Sequence, residues 1–187
     1  MNTLNSIEIL VNEHKNIKRI LKIVRKMCLG IVEGIEVPYD DLYLVIDFIR
    51  NYADKYHHGK EEDMLFKDMD AELSKKIGKG PIQGMYIEHD YGRSFVRELE
   101  AALKAHQSGD NEAKVDIIAN AIGYVNLLNK HIDKEDNMIY KFASNNLKKE
   151  TLEKLDSEFE SFENAKEHME VKKKYLKLID KLDEKYQ

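Results

Sequence analysis

Tryptophan is absent from this 187-residue chain, proline occurs twice and cysteine once. The lone Cys28 excludes an intramolecular disulfide framework. Long apolar runs are missing too, and none approaches the roughly 20 residues that span a bilayer. Met1 to Asn5 offers no basic region followed by an apolar one, so no signal peptide is expected. Nor is there an excess of positive charge: a formal net charge of −5 argues against nucleic acid as the main partner. What is present is 42% hydrophobic and 35% charged residues, the balance of a soluble globular helical protein. The length allows one domain, or one domain with a tail, around a core of useful size. We therefore expect a cytoplasmic protein with no membrane partner.

One stretch organises the rest. His57-His58-Gly59-Lys60-Glu61-Glu62-Asp63-Met64-Leu65-Phe66 returns as His131-Ile132-Asp133-Lys134-Glu135-Asp136-Asn137-Met138-Ile139-Tyr140. Each copy reads His-x-x-Lys-Glu, then an acid, then Met, an aliphatic and an aromatic. Residues four apart lie on one helix face, so each copy presents an imidazole beside a carboxylate. Each copy also has an upstream partner. His14, in Glu13-His14, lies 43 residues before His57, and His89, in Glu88-His89, lies 42 before His131. Internal repetition constrains architecture. Here it suggests two helical hairpins, each giving one His from its first helix and a His/Glu pair from its second.

Apolar spacing places the helices. The first is expected from about Ser6 to Cys28, capped by Ser6 or Asn5, with His14 inside the stripe Ile7, Leu10, Ile17, Leu21, Val24. The second opens at Pro38, a favoured first-turn residue, and runs to about Met69. Its inner stripe is Leu42, Ile46, Ile49, Ala53, His57, Glu61, Met64, and a polar row holds Asp47, Asn51, Asp54, His58, Glu62. On this reading His57 and Glu61 face the core, whereas His58 and Glu62 lie at the rim. Gly59 is read as serving close packing or a local bend. Ser74 to Gly80 form a loop, and Pro81 starts a third helix that ends near Ser108-Gly109-Asp110. Its stripe is Ile82, Met85, His89, Gly92, Val96, Leu99, Leu103, with Gly92 leaving space beside His89. The fourth runs from about Asn111 to Asn146 with the stripe Ile117, Ala121, Tyr124, Leu128, His131, Glu135, Met138. Residues 150–187 form a fifth, heavily charged helical segment with apolar points at Phe159, Phe162, Met169, Leu176, Ile179 and Leu182.

Ionisable groups on apolar stripes are costly to bury without partners. Metal ions shared among His14, His57, Glu61, His89, His131 and Glu135 would offset that cost, since imidazole suits iron, zinc and copper and a carboxylate can bridge. Four His and two Glu suit two ions, each with two imidazoles, with Glu61 and Glu135 bridging and an oxo or hydroxo bridge completing five ligands. One position on each ion stays open for a small molecule. Ferritin-like di-iron bundles differ, with Glu-x-x-His motifs and more carboxylate than imidazole.

The pattern resembles the hemerythrin-like family, the HHE cation-binding domain. The likeness covers about residues 6 to 145 and rests on His14, His57-Gly59-Lys60-Glu61-Glu62, Glu88-His89 and His131-Ile132-Asp133-Lys134-Glu135. It implies an all-α, up-down four-helix bundle over 1–148 enclosing a non-heme di-iron centre, with 149–187 as a C-terminal helical extension on or beside it. It also implies a dioxygen, peroxide or nitric oxide ligand, handled by a carrier, a sensor or a peroxide- or nitric-oxide-consuming enzyme. The extension offers a surface for self-association or a protein partner. One departure stands out. The third helix of oxygen-carrying members has two His a turn apart, but Met85 and Arg93 flank His89 here. The fifth imidazole is thus missing, unless His58 or a water substitutes.

The remaining candidates read more plainly. His106 and His168 fall outside the repeat and are expected at the surface. Tyr124 is read as a core tyrosine, with a hydrogen bond to a bound oxygen species as the alternative. Met64 and Met138 are read as core filler, Cys28 as an inert buried thiol, and Lys172-Lys173-Lys174 as a solvated helix face.

Overall fold

The computed structural model describes residues 5–187. Residues 1–4, on which most of the signal-peptide reading rests, lie outside them. Among the described residues there are six helices and no strand. Helix α1 spans Ser6–Val32. Asn5 fixes its start: its side chain accepts the Glu8 backbone N–H at 2.9 Å, and Glu8 accepts that of Asn5 at 3.1 Å, a reciprocal capping box. Helix α2 is continuous over 39–77 and ends at Gly78, whose φ of 69° suits glycine. It is thus two turns longer than the apolar stripe predicts. Helix α3 is Gly80–Gln107, with Pro81 in its first turn, and α4 is continuous over 113–146. These four helices pack as an up-down bundle, α4 lying between α1 and α3.

Both repeat copies contain a wide turn of π-helix, at Glu61–Leu65 and Glu135–Ile139. The N–H of Phe66 donates to Glu61 O, and that of Tyr140 to Glu135 O, five residues back. A longer π stretch, Ile49–His58, precedes the first. Such turns shift the register of everything beyond them. The inner stripe therefore steps from Glu61 to Leu65 and Phe66, and from Glu135 to Ile139 and Tyr140. Met138, expected in the core, is 65% exposed, and Met64 is only half-buried.

The expected single C-terminal segment is two helices, α5 (Lys149–Asn164) and α6 (Lys166–Lys185), broken at extended Ala165. His168 marks the corner: its ring stacks on Phe162 at 3.5 Å and its Nδ1–H donates to Phe162 O at 2.8 Å. It is half-buried, as is His106, whose ring meets the Tyr39 hydroxyl. Leu155, Phe159, Tyr175, Ile179 and Leu182 of this hairpin are buried. Polar anchors fasten it to α1 and α2. Arg19 donates to Asp180 and Asp183, Lys185 and Tyr186 to Asp41, and Lys174 and Tyr175 to Asp47. Lys172 likewise bonds Glu163, so Lys172 and Lys174 are pinned rather than simply solvated.

The core is divided. One apolar block holds Ile17, Val24, Leu42, Tyr52, Val96 and Leu128. The other holds Leu10, Phe66, Met69, Ile82, Met85 and Tyr140. A layer of buried His and Glu side chains separates them.

Candidate metal centre

That layer brings together the six residues picked out from the repeat. His14, His57, Glu61 and Glu135 form one group whose ligand atoms lie within 4.8 Å of one another, and His58, Glu61, His89 and His131 form a second. All seven side chains are buried. His14 comes from α1, His57, His58 and Glu61 from α2, His89 from α3, and His131 and Glu135 from α4. His58 is the correction. The sequence reading put it at the rim, but it stacks on His89 with ring centroids 3.8 Å apart. The Ile49–His58 π stretch turns it inward together with His57.

Four imidazoles share one wiring. Nδ1–H donates outward to a carboxylate in each: His14 to Asp136 at 2.7 Å, His57 to Glu13 at 2.8 Å, His89 to Glu62 at 2.6 Å, His131 to Glu88 at 2.9 Å. Glu62 is therefore a partner of His89, not a solvated rim residue. Glu13 and Glu88 are in turn held by Lys60 and Lys134. The signal was present in the sequence as Glu13-His14, Glu88-His89, the two repeat lysines and the acid after each repeat glutamate. Spacing alone did not reveal that Glu13 and Glu88 serve the second histidine of their own half, whereas Asp136 and Glu62 cross to the first histidine of the other.

With Nδ1 occupied, every Nε2 turns inward. His14 Nε2 faces His57 Nε2 at 2.9 Å, and His89 Nε2 faces His131 Nε2 at 3.1 Å. If each Nδ1 carries the proton, each facing pair sets lone pair against lone pair. A cation between them resolves the clash. Two neighbouring ligands on one ion at about 2.1 Å stand about 3 Å apart. Glu135 spans the halves, with Oε1 3.0 Å from His131 Nε2 and Oε2 3.3 Å from His14 Nε2. Neither oxygen has a hydrogen-bond partner, nor has Glu61 Oε2, which lies 3.7 Å from His57 Nε2 and 3.6 Å from His89 Nε2. Buried polar atoms are rarely left so. The other Glu61 oxygen accepts from the Tyr140 hydroxyl, a contact the sequence reading missed.

The charges follow from these contacts. Burial, then the charge of Glu135, pushes Glu61 well up. Burial opposes ionisation of Glu135, but the imidazoles around it outweigh burial and hold it well down. Burial would lower His14, yet its hydrogen bond to Asp136 and the neighbouring Glu135 carboxylate push it up to about 9. Burial and the charge of His89 push His58 down to about 3.

A cavity of about 130 Å³ reaches this layer from the side of His58 and His89. Ile49, Gly92 and Val96 line it, with Arg93 and Asp54, 2.7 Å apart, beside them. Tyr124 also lines it, buried, its hydroxyl without a partner. Cys28 lies far along α1, buried, and burial pushes its thiol up to about 11.

A helical bundle with a buried His and carboxylate cluster of this kind is a metal-binding protein in its architecture. The chain belongs to the hemerythrin HHE cation-binding domain family, whose sequence pattern matches residues 5–143. No curated protein and no solved structure matches it. No helix among the described residues is long and apolar enough to cross a membrane.

Proposed function

We propose that the chain holds two iron ions in a non-heme centre and there binds or reacts with a small oxidant or diatomic, whether dioxygen, peroxide or nitric oxide. The observation that carries this is the set of four inward Nε2 atoms with three partnerless carboxylate oxygens between them. His14 and His57 hold one ion, His89 and His131 the other, with Glu61 and Glu135 shared. His58 supplies the fifth imidazole on the His89 side. Such a centre, when loaded, supplies redox equivalents and an open coordination position to a small molecule.

The protein's own groups do the rest. The four outward carboxylates fix tautomer and ring orientation and raise ligand basicity. The cavity beside His58 admits a small molecule to the His58–His89 side of the centre, and the Tyr124 hydroxyl stands ready to donate to it. Anaerobic reconstitution should load about two ferrous ions per chain, and air should then produce near-ultraviolet charge-transfer absorption. Uptake of a single zinc with no such absorption after iron treatment would sink the reading.

A second reading, a sensor that reports the state of the centre through the C-terminal hairpin, is favoured by one observation. Glu163 of that hairpin bonds to Lys60, next to Glu61.

A further inference from the structure

The outer wiring of the two halves matches until the C-terminal hairpin is considered. Lys134 holds Glu88 and keeps 39% of its side chain exposed, so water completes its environment. Its counterpart Lys60 holds Glu13 with none of its side chain exposed. Glu163, near the end of α5, takes the place of water, accepting from Lys60 at 2.6 Å and from the Tyr56 hydroxyl at 2.6 Å. The Tyr56 ring lies 4.0 Å from the Lys60 ammonium. On its outer side Glu163 accepts from Lys172 of α6 at 2.7 Å. A chain of hydrogen bonds thus runs Lys172, Glu163, Lys60, Glu13, His57, from the surface of the hairpin to one imidazole of the centre.

We infer that Glu163 is a positioning residue for the metal centre. Acting through Lys60 and Glu13 it orients His57, so docking of the α5–α6 hairpin and retention of the ion on the His14–His57 side form one coupled equilibrium. The inference rests on the two-ion reading above and gives its sensor variant a physical route. A buried ammonium needs its full complement of partners. Without Glu163, Lys60 draws on Glu13 alone, and Glu13 is the acceptor that aims His57 Nε2 inward. Loss of such an outer partner costs about 10- to 100-fold in metal affinity. Binding linkage is reciprocal, so an ion held by His57 steadies the hairpin in return. The other half has no such tie.

The test uses the full chain and titrates ferrous iron, and separately zinc, against a competing chelator. Glu163→Gln, close in shape, should weaken one ion by several-fold, less than the about 10- to 100-fold that loss of a direct partner such as Glu13 would cost, and keep the other. Asp47→Asn removes the anchor of Lys174 and Tyr175 on α6 without touching Glu163, Lys60 or Glu13. It should loosen α6 and, through the same linkage, weaken the same one ion by less than Glu163→Gln does, leaving the other ion's affinity unchanged. Independently of any variant, amide exchange over 166–185 in the unsubstituted chain should slow on metal loading. If Glu163→Gln keeps both affinities or weakens both equally, or if metal leaves that exchange unchanged, the inference is overturned. An unsubstituted chain that takes up fewer than two ions overturns the two-ion reading as well, and that outcome is visible before any variant is made.

Discussion

Two tyrosine hydroxyls show how differently a single buried oxygen can behave. Tyr140 donates to Glu61, and its repeat counterpart Phe66 has no hydroxyl, so Glu135 keeps both oxygens free while Glu61 keeps one. Tyr124 is buried with no partner at all. In the metal-free protein, Tyr140→Phe strands a buried carboxylate oxygen and should lower stability by about 1–3 kcal/mol. Tyr124→Phe removes an unsatisfied hydroxyl and should leave stability level or raise it by up to about 1 kcal/mol. Urea denaturation of the two variants measures both, and a loss at Tyr124 as large as that at Tyr140 would show a partner there. At this scale much could be read from the sequence. His14, His57, His89, His131, Glu61 and Glu135 each sit among apolar neighbours at helical spacing, and each is buried in the layer. The carboxylate behind each imidazole was not legible, because pairings such as Glu13 with His57 join residues on different helices.

Among the elements, the wide turns account for what the periodic reading lost. A stripe drawn at α-helical spacing reaches Met138 after Glu135, whereas a bond five residues back advances the buried face to Ile139 and Tyr140. Over Ile49–His58, another π stretch, His57 and His58 are both buried and His58 lies beside His89. No residue type announces such a turn, since its cause is the packing of the layer rather than local propensity. Glycines in the helices also divide by surroundings. A Cβ added at Gly84 or Gly59 would meet nothing within 4 Å, so Gly59 is not there for close packing. At Gly92 it would make ordinary contact at 3.5 Å with Tyr124 and Leu128, at the cavity wall. At Gly123 it would fall 2.5 Å from the Phe95 ring. Gly84→Ala should therefore stabilise by about 0.5–1 kcal/mol. Gly123→Ala should gain nothing or lose, since Phe95 must move. Thermal melts of the two variants check the pair, and equal gains would contradict the close approach of α3 to α4.

Taken whole, the molecule is a bundle clasped by a hairpin, and the clasp is ionic at its edges. Lys185 and Tyr186 hold Asp41, Lys174 and Tyr175 hold Asp47, and Lys60, Lys172 and Tyr56 hold Glu163. Burial opposes ionisation of all three acids, but their partners outweigh it. Asp41 and Asp47 lie below the usual range and Glu163 falls to about 2. A carboxylate whose pKa is lower folded than unfolded adds stability that is complete above its unfolded value, about 4. That stability is lost as the pH falls through the folded value. The hairpin should thus stay docked at neutral pH and loosen between about pH 4 and pH 2. Amide exchange or limited acid proteolysis over 149–187 should show this ahead of the bundle, and simultaneous release of both parts would count against it. The polar layer between the two apolar blocks has one more consequence, which belongs to biosynthesis. Its side chains are drawn from Glu13 through Tyr140, and His89 leaves the ribosome 75 residues after His14. A chain still being translated lacks His131 and Glu135, so the full set of ligands exists only once α4 has come home. Products truncated before α4 expose bare acids and imidazoles at their waist with two members of the layer missing, which makes full loading a mark of a finished molecule.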